Sequence, residues 1–453
     1  MSRVSANRTA TTRRRQEAPR GGVHWYSCRA ATQPNSRAIR SLERNCSNGG
    51  AAVQTLFDEL VRTDSTPARN QEGSFAFLNR IATPWWAEVR ERLELWFKSY
   101  SADAAAAKAA DLRARFRSRD DRQHLGAWWE LYMYWLLRSL CPCAWIGIEP
   151  ERRDRATRPD FCVAATRDAP QVKVWLEATT TFSGVVDSTR HGAREAYVLD
   201  AINEVDSTDF RVWITFDAVG DAHPRKRQLV GPLRRWLDSL NYEDVVAAWE
   251  RGEGRATHRI RVCGWDIRLQ AIPKQQRGVH PNDRLIGIGP ITAGFVNDRE
   301  QARKAIMGKA AHYGQLDAPF VVAVLPSSPF FDRTDAEEAL YGSEAVQIDP
   351  ERPEAEPAVV RLGDGVWSGA QRSQVSAVLF GAGVLPWTVG RTWPQLWINP
   401  MASTPLGEDL AAAVPRVAVN KNGSFDVQDA TEPPARLLGL DATWPGSGDP
   451  FDV

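Results

Sequence analysis

Residues 158–179 have the sequence RPDFCVAATRDAPQVKVWLEAT, and this stretch predicts a β-hairpin. Residues 161–165 and 172–179 are rich in the apolar and β-branched side chains that strands favour. The RDAP segment between them consists mainly of residue types that form turns. When the turn is centred on this segment, each residue of the first strand lies opposite the residue that is equally far from the turn in the second strand. We therefore expect Asp160 to lie opposite Glu177.

Directly opposed residues of an antiparallel pair have Cβ atoms roughly 5 Å apart. Two carboxylates at that range repel each other by a few kcal/mol (order of magnitude) near a protein surface, unless a cation lies between them. Side chains alternate across a strand. The alternation predicts a core face and a mixed polar face, the latter containing Glu177. The core face contains Val172, Val174, Leu176 and Ala178, and the polar face contains Lys173, Trp175, Glu177 and Thr179.

A third carboxylate precedes the hairpin. Apolar residues recur at helical spacing over residues 123–140 and predict an amphipathic helix. The stripe consists of Leu125, Trp129, Met133, Leu136 and Leu140. Glu130 falls at the border of this stripe, where an acid can reach over the edge of a sheet.

A helix with Glu130, then a strand, then Pro159-Asp160, a turn and Glu177 resembles the PD-(D/E)XK, or restriction-endonuclease-like, nuclease superfamily. This resemblance covers about residues 120–180 and 300–326. It implies that Asp160 and Glu177 are ligands of Mg²⁺ or Mn²⁺ and that Glu130 is an accessory catalytic residue. The chain departs from the family pattern at Thr179, which occupies the position of the catalytic lysine.

The chain contains eight lysines, and Lys309 is the best candidate to replace the missing one. Residues 298–313 are predicted to form a helix whose buried stripe contains Ala302, Ile306, Ala310 and Tyr313. Lys309 lies within that stripe, whereas Lys304 points to the opposite side. A lysine on an apolar face needs a partner. The alternative is a side chain whose aliphatic stem covers the core while its ammonium reaches water.

The element pattern predicts an α/β fold, in which a mixed sheet flanked by helices forms a restriction-endonuclease-like core. A helical N-terminal region precedes this core, as the resemblance to certain uncharacterised bacterial proteins implies, and a β-rich part follows it. The predicted divisions are a basic disordered tail (1–70), a helical region (71–120), the nuclease-like core (121–326) and a C-terminal region of short strands (327–453).

Residues 183–297 are expected to be an insertion with its own helices and strands. Within it, the apolar run at residues 211–216 is an alternative candidate for the strand that pairs beside the catalytic hairpin. That alternative would remove Lys309 from the site. We therefore leave both arrangements open at this point.

The formal net charge of +1 conceals an asymmetry, because the first 50 residues contain ten arginines and only two acids, Glu17 and Glu43. This tail is suited to neutralising phosphates, although a transit-type leader and an extension without a role are equally compatible with it. The six cysteines lack the spacing of a zinc site and predict reduced thiols in a cytoplasmic protein. No run of about 18 apolar residues predicts a membrane span.

Together these features predict a metal-dependent nuclease that hydrolyses nucleic acid, with DNA favoured over RNA, through Glu130, Asp160, Glu177 and Lys309. Two alternatives remain. The first is a nuclease-like fold that binds nucleic acid or protein without turnover, which Thr179 favours. The second is a helical interaction protein with an accidental motif, which requires residues 160 and 177 to lie far apart.

Overall fold

The architecture is described from a computed structural model of the full chain. The described residues are 54–152, 157–168, 171–182, 188–279, 283–289, 297–347, 356–368, 373–420, 424–448 and 450. The predicted disorder of the N-terminal tail concerns mostly residues 1–53, which lie outside these ranges.

The helices in this part of the chain are α1 (Ser74–Arg80), α2 (Pro84–Asp103), α3 (Ala106–Phe116), α4 (Asp121–Leu140), α5 (Ser188–Asn203), α6 (Lys226–Asp238), α7 (Tyr242–Glu250), α8 (Asp298–Tyr313), α9 (Arg333–Tyr341), α10 (Glu408–Ala411) and α11 (Pro434–Leu437). The strands are β1 (Trp145–Ile148), β2 (Phe161–Ala164), β3 (Val172–Thr181), β4 (Phe210–Ala218), β5 (Thr257–Val262), β6 (Trp265–Pro273), β7 (Ile286–Ile288), β8 (Phe320–Pro326), β9 (Glu344–Gln347), β10 (Ala358–Arg361), β11 (Ala377–Phe380), β12 (Gln395–Ile398), β13 (Arg416–Val419) and β14 (Phe425–Gln428).

The main sheet has eight strands in the order β1-β2-β3-β8-β11-β12-β13-β14. Strands β1, β2 and β3 form an antiparallel meander. Strand β8 then pairs in parallel with β3 on one side and with β11 on the other. The predicted mixed sheet flanked by helices is therefore confirmed as an architecture.

The predicted hairpin register is correct. Phe161 pairs with Leu176 and Cys162 pairs with Trp175, so the next step along both strands brings Asp160 to Glu177. A register shift occurs at Ala164, towards the turn. Residues 169–170 at the tip of the turn lie outside the described ranges. The accidental-motif alternative is wrong, because residues 160 and 177 are neighbours.

Both faces of the main sheet are covered, which corrects the expectation of one core face and one mixed polar face. Val174 and Leu176 pack into a core formed with helices α1 to α4. Trp175 packs into a second core, which also includes residues of α8 and α9. The side of β3 that contains Glu177 is therefore buried beneath α8.

Helix α4 lies across the first face of the sheet. The Asp120 side chain caps its N-terminus by accepting a hydrogen bond from the Arg122 N–H. Every residue from Ala127 to Leu137 is buried, so the predicted narrow stripe underestimates the burial of this helix. The Trp129 indole N–H donates to the Ala323 carbonyl of β8 at 2.9 Å. Gly381 lies so close that an added Cβ would be 2.4 Å from the Trp129 ring.

The packed N-terminal region begins earlier than the sequence predicts. Leu56 and Phe57 are buried in the first core, within the segment assigned to a disordered tail. Asp103 is the last residue of α2, and Ala105 occupies the N-cap position of the alanine-rich helix α3. The side chain of Asp103 accepts a hydrogen bond from Tyr134.

The insertion forms a separate four-stranded sheet in the order β5-β6-β4-β7. Its apolar core combines residues of these strands with residues of α5, α6 and α7. Strand β4, which contains residues 211–216, therefore does not pair beside the hairpin of β2 and β3. That position belongs to β8, so the alternative topology is wrong and α8 remains next to the hairpin.

The C-terminal strands β11, β12, β13 and β14 complete the main sheet. They therefore belong to the same structural unit as the core, rather than to a separate region at residues 327–453. Across the described ranges, no helix is long and apolar enough to cross a membrane.

Candidate active site

Glu177 lies near the centre of β3, and only 3 % of its surface is exposed. Its carboxylate accepts three hydrogen bonds. Lys309 Nζ is 2.6 Å from Oε1, the Tyr313 hydroxyl is 2.8 Å from Oε2, and the Asp160 N–H is 3.0 Å from Oε2. A buried carboxylate requires such partners. Glu177 is therefore held in one orientation by the hairpin and by α8.

Asp160 precedes β2 and is half-buried. Its Oδ2 accepts a hydrogen bond from the Ala178 N–H at 2.8 Å. The backbone N–H of Asp160 bonds to Glu177, and the backbone N–H after Glu177 bonds to Asp160, so the two acids are locked together reciprocally. Within the described ranges, Oδ1 of Asp160 accepts no hydrogen bond and retains its capacity for a ligand.

The pKa of Asp160 is well above its ordinary range. Burial of the carboxyl is the largest cause, and the negative charges of Glu177 and Glu130 add to it. The Ala178 N–H and the Lys309 ammonium act in the opposite direction but do not compensate fully. The surroundings of Asp160 therefore disfavour its ionised form.

Helix α8 supplies two of the partners of Glu177. Its N-terminus is capped by the side chain of Asn297, and the predicted stripe of Ala302, Ile306, Ala310 and Tyr313 is buried. Lys309 lies beside this stripe with 33 % of its side chain exposed. Its ammonium points at Glu177 and not only at water. The contact agrees with a lysine that has a buried partner, and a side chain that merely extends its ammonium into water does not account for it.

Glu130 is buried and has partners of its own. Its Oε1 accepts a hydrogen bond from the Tyr100 hydroxyl at 2.8 Å, and its Oε2 forms an ion pair with Arg115 at 2.7 Å. Helix α4 covers the sheet face opposite to α8, so Glu130 approaches Asp160 from the other side. Its charge reaches Asp160, but it does not join Asp160 and Glu177 in one ligand set.

Sequence reasoning did not identify Tyr313 or Glu149. Tyr313 was assigned only to the apolar stripe, although a tyrosine one turn after Lys309 is a signal that a polar group lies nearby. Glu149 follows β1 with a φ of +40°, an unusual backbone conformation for a non-glycine residue. Its N–H donates to the Asp160 carbonyl at 2.8 Å, and its carboxylate forms an ion pair with Lys108. No spacing rule connects Glu149 with the hairpin.

The hairpin brings two carboxylates together, Asp160 and Glu177, as candidate ligands for a metal ion. No group of three or more His, Cys, Asp or Glu side chains surrounds a possible ion position in the described ranges. Mg²⁺ keeps several water molecules and is usually bound by one or two carboxylates together with substrate phosphates. Asp160 and Glu177 supply two carboxylates of this kind.

We expect Asp160→Asn to stabilise the protein at pH 7, because it removes a carboxylate that burial and Glu177 destabilise. The folded state binds this proton more tightly than the unfolded state does, so the penalty is absent below the unfolded pKa and develops as the pH rises through the folded pKa. Thermal unfolding monitored by circular dichroism should show a higher midpoint for the variant, about 1 °C for each kcal/mol relieved in a chain of this length.

The difference between the variant and the native chain should disappear near pH 3. Addition of Mg²⁺ should raise the unfolding midpoint of the native chain and not that of Asp160→Asn. Equal midpoints at pH 7 would show that Asp160 is not under electrostatic strain.

Comparison of the chain with protein-family models, with curated proteins and with solved structures finds no match.

Proposed function

We propose that the protein is a metal-dependent nuclease that hydrolyses phosphodiester bonds, with DNA as the expected substrate. The observation that carries the proposal is the arrangement around Glu177. A buried carboxylate bonded to a lysine and a tyrosine lies next to a second acid whose pKa is raised. Strongly perturbed acids with a specific cationic partner cluster at functional sites. The resemblance to PD-(D/E)XK nucleases rests on the same residues.

In this proposal, Asp160 and Glu177 hold Mg²⁺ or Mn²⁺. The ion supplies a nucleophilic water at neutral pH and neutralises the charge of the phosphate. Asp160 offers its free Oδ1, and Glu177 offers the oxygen that now contacts Lys309. The two acids therefore bind and orient the metal ion, and α8 supplies the positive charge of Lys309.

Lys309 takes the role of the missing strand lysine. Its ammonium reaches Glu177 from α8, on the side of the sheet that Glu177 shares with Thr179. There it polarises the attacking water or stabilises the pentavalent oxygens. Tyr313 orients Glu177 through its hydroxyl. Glu130, whose partners are Tyr100 and Arg115, contributes negative charge at Asp160 rather than a ligand oxygen.

Asp160→Asn should abolish cleavage while the protein remains folded, because the variant loses a metal ligand but keeps the shape of the side chain. The assay uses labelled single-stranded and duplex DNA and RNA with Mg²⁺ or Mn²⁺ at several salt concentrations. A matched control is Asp426→Asn, which changes a carboxylate on the outer strand β14 and should retain full activity. The proposal fails if the native protein leaves every substrate intact under all these conditions.

The competing function is a nuclease-like fold that binds without turnover. It is favoured by the three hydrogen bonds that already engage Glu177 and by the ion pair that occupies Glu130. This alternative predicts no cleavage and no change in unfolding midpoint with Mg²⁺. The metal titration of the native chain and of Asp160→Asn therefore separates the two functions.

A further inference from the structure

The sheet of the insertion has one covered face and one open face. Ile260, Ile267 and Leu269 point to the covered face and pack with α5, α6 and α7. Their neighbours in the strands point the other way. The side chains of Arg261 and Arg268 on the open face are 68 % and 42 % exposed. An exposed sheet face of this kind is a surface on which a ligand can lie flat.

Arginines dominate the centre of this open face. Arg259 pairs directly with Arg268 across strands β5 and β6, and like charges in this position destabilise a sheet. Two carboxylates offset the repulsion. Asp217 is 2.7 Å from Arg268, and Asp266 is 2.5 Å from Arg259 and 3.1 Å from Arg261.

Three guanidinium groups therefore share two carboxylates. Each guanidinium has five N–H donors in a fork that matches phosphate oxygens. The arginines keep donors that the two acids do not engage, and all three remain well exposed. With three guanidinium groups and two carboxylates, the arrangement has an excess of positive charge.

Aromatic side chains border this arginine cluster. The Arg255 guanidinium lies 4.8 Å from the ring centroid of Trp213 and 4.8 Å from that of Trp249. Arg255 also donates to Gln270 at 3.2 Å, which holds it over the sheet. Trp249 is 38 % exposed. An exposed indole beside a cationic surface provides a stacking position for an unpaired base.

We propose that the open face of the insertion sheet binds a single-stranded polynucleotide. Phosphates contact the cluster of Arg259, Arg261 and Arg268, and a base stacks on Trp249, which the Arg255 guanidinium contacts. A single strand is favoured over a duplex because the aromatic groups act only on bases that are free to stack on protein. This binding does not depend on hydrolysis at Asp160 and Glu177, so it stands even where the proposed nuclease activity fails.

Binding is measured by fluorescence anisotropy with labelled oligothymidylate and oligouridylate of about 20 nucleotides, a length that covers the usual sites of this kind. EDTA is present, so that the metal site takes no part. Trp249→Ala should weaken binding about fivefold or more, which corresponds to one stacked base. Met401→Ala, which removes a 51 % exposed side chain outside the insertion, is the control and should bind normally.

The triple substitution of glutamine for Arg259, Arg261 and Arg268 should reduce the dependence of log Kd on log salt by about 2, because about 0.7 of a counterion is released per phosphate of a single strand. Circular dichroism of each variant verifies folding. Tight binding of either oligonucleotide, weakened in both variants, supports the proposal. Preference for a duplex, an unchanged salt dependence or unaltered binding by Trp249→Ala would overturn it.

Discussion

Lys309→Met is expected to reduce cleavage by about 100-fold or more, comparable with the removal of one transition-state hydrogen-bond donor. The methionine keeps the apolar stem that packs beside the stripe of α8, so the change is confined to the ammonium. That ammonium is 2.6 Å from Glu177. Its removal also leaves a buried carboxylate with one partner fewer, which should lower the free energy of unfolding by about 1 to 3 kcal/mol.

Lys304→Met is the matched control for this change. Lys304 lies on the same helix with 64 % of its side chain exposed, and its ammonium is 3.4 Å from Glu300. The Lys304→Met variant should retain both cleavage activity and the stability of the native chain. The double variant Lys309→Met with Glu177→Gln should recover stability, because the uncompensated charge is gone, but not activity. Full cleavage by Lys309→Met would show that the ammonium serves the fold alone.

Trp129→Ala is expected to destabilise the protein by about 3 to 5 kcal/mol, the usual cost of truncating a large buried aromatic side chain. Trp129 is fully buried, and its indole N–H satisfies the Ala323 carbonyl. The substitution leaves a cavity between α4 and β8 and removes the hydrogen bond from the indole to the Ala323 carbonyl. Urea unfolding monitored by circular dichroism gives the change in free energy.

Trp249→Ala is the corresponding control, because it makes the same substitution at a 38 % exposed position. Its effect should remain within about 0.5 kcal/mol, as is typical of surface sites. If Trp129→Ala lowers the free energy of unfolding as little as Trp249→Ala does, the packing of α4 against the main sheet contributes little to stability. Because Trp129 adjoins Glu130, the variant should also weaken the contacts of Glu130 with Tyr100 and Arg115.

The hairpin could be predicted from sequence because its register is a local property. The turn residues and the alternation of β3 determine which residues oppose each other. Lys309 could be found because a charged residue within an apolar stripe needs an explanation, and the chain has few lysines. Both inferences depend on patterns formed by residues that are close together in the sequence.

The surroundings of Glu130 could not be predicted in the same way. Its partners Tyr100 and Arg115 belong to α2 and α3, and no pattern within residues 121–140 identifies them. Burial of the second sheet face likewise depends on α8, which is separated from β3 by the whole insertion. The C-terminal strands were too short for the sequence to show that they join the main sheet. These features arise from tertiary packing and not from local periodicity.

The position of the insertion has a consequence for how the chain assembles. β3 and β8 are adjacent and parallel, yet residues 182–319 separate them in sequence. The entropy of closing a loop grows only with the logarithm of its length, so each doubling adds about 0.6 kcal/mol. A segment with its own apolar core can fold before the two strands meet, which shortens the effective loop. The insertion is therefore a module whose length and content can vary while the register of β3 and β8, and with it the Glu177–Lys309 pair, is preserved.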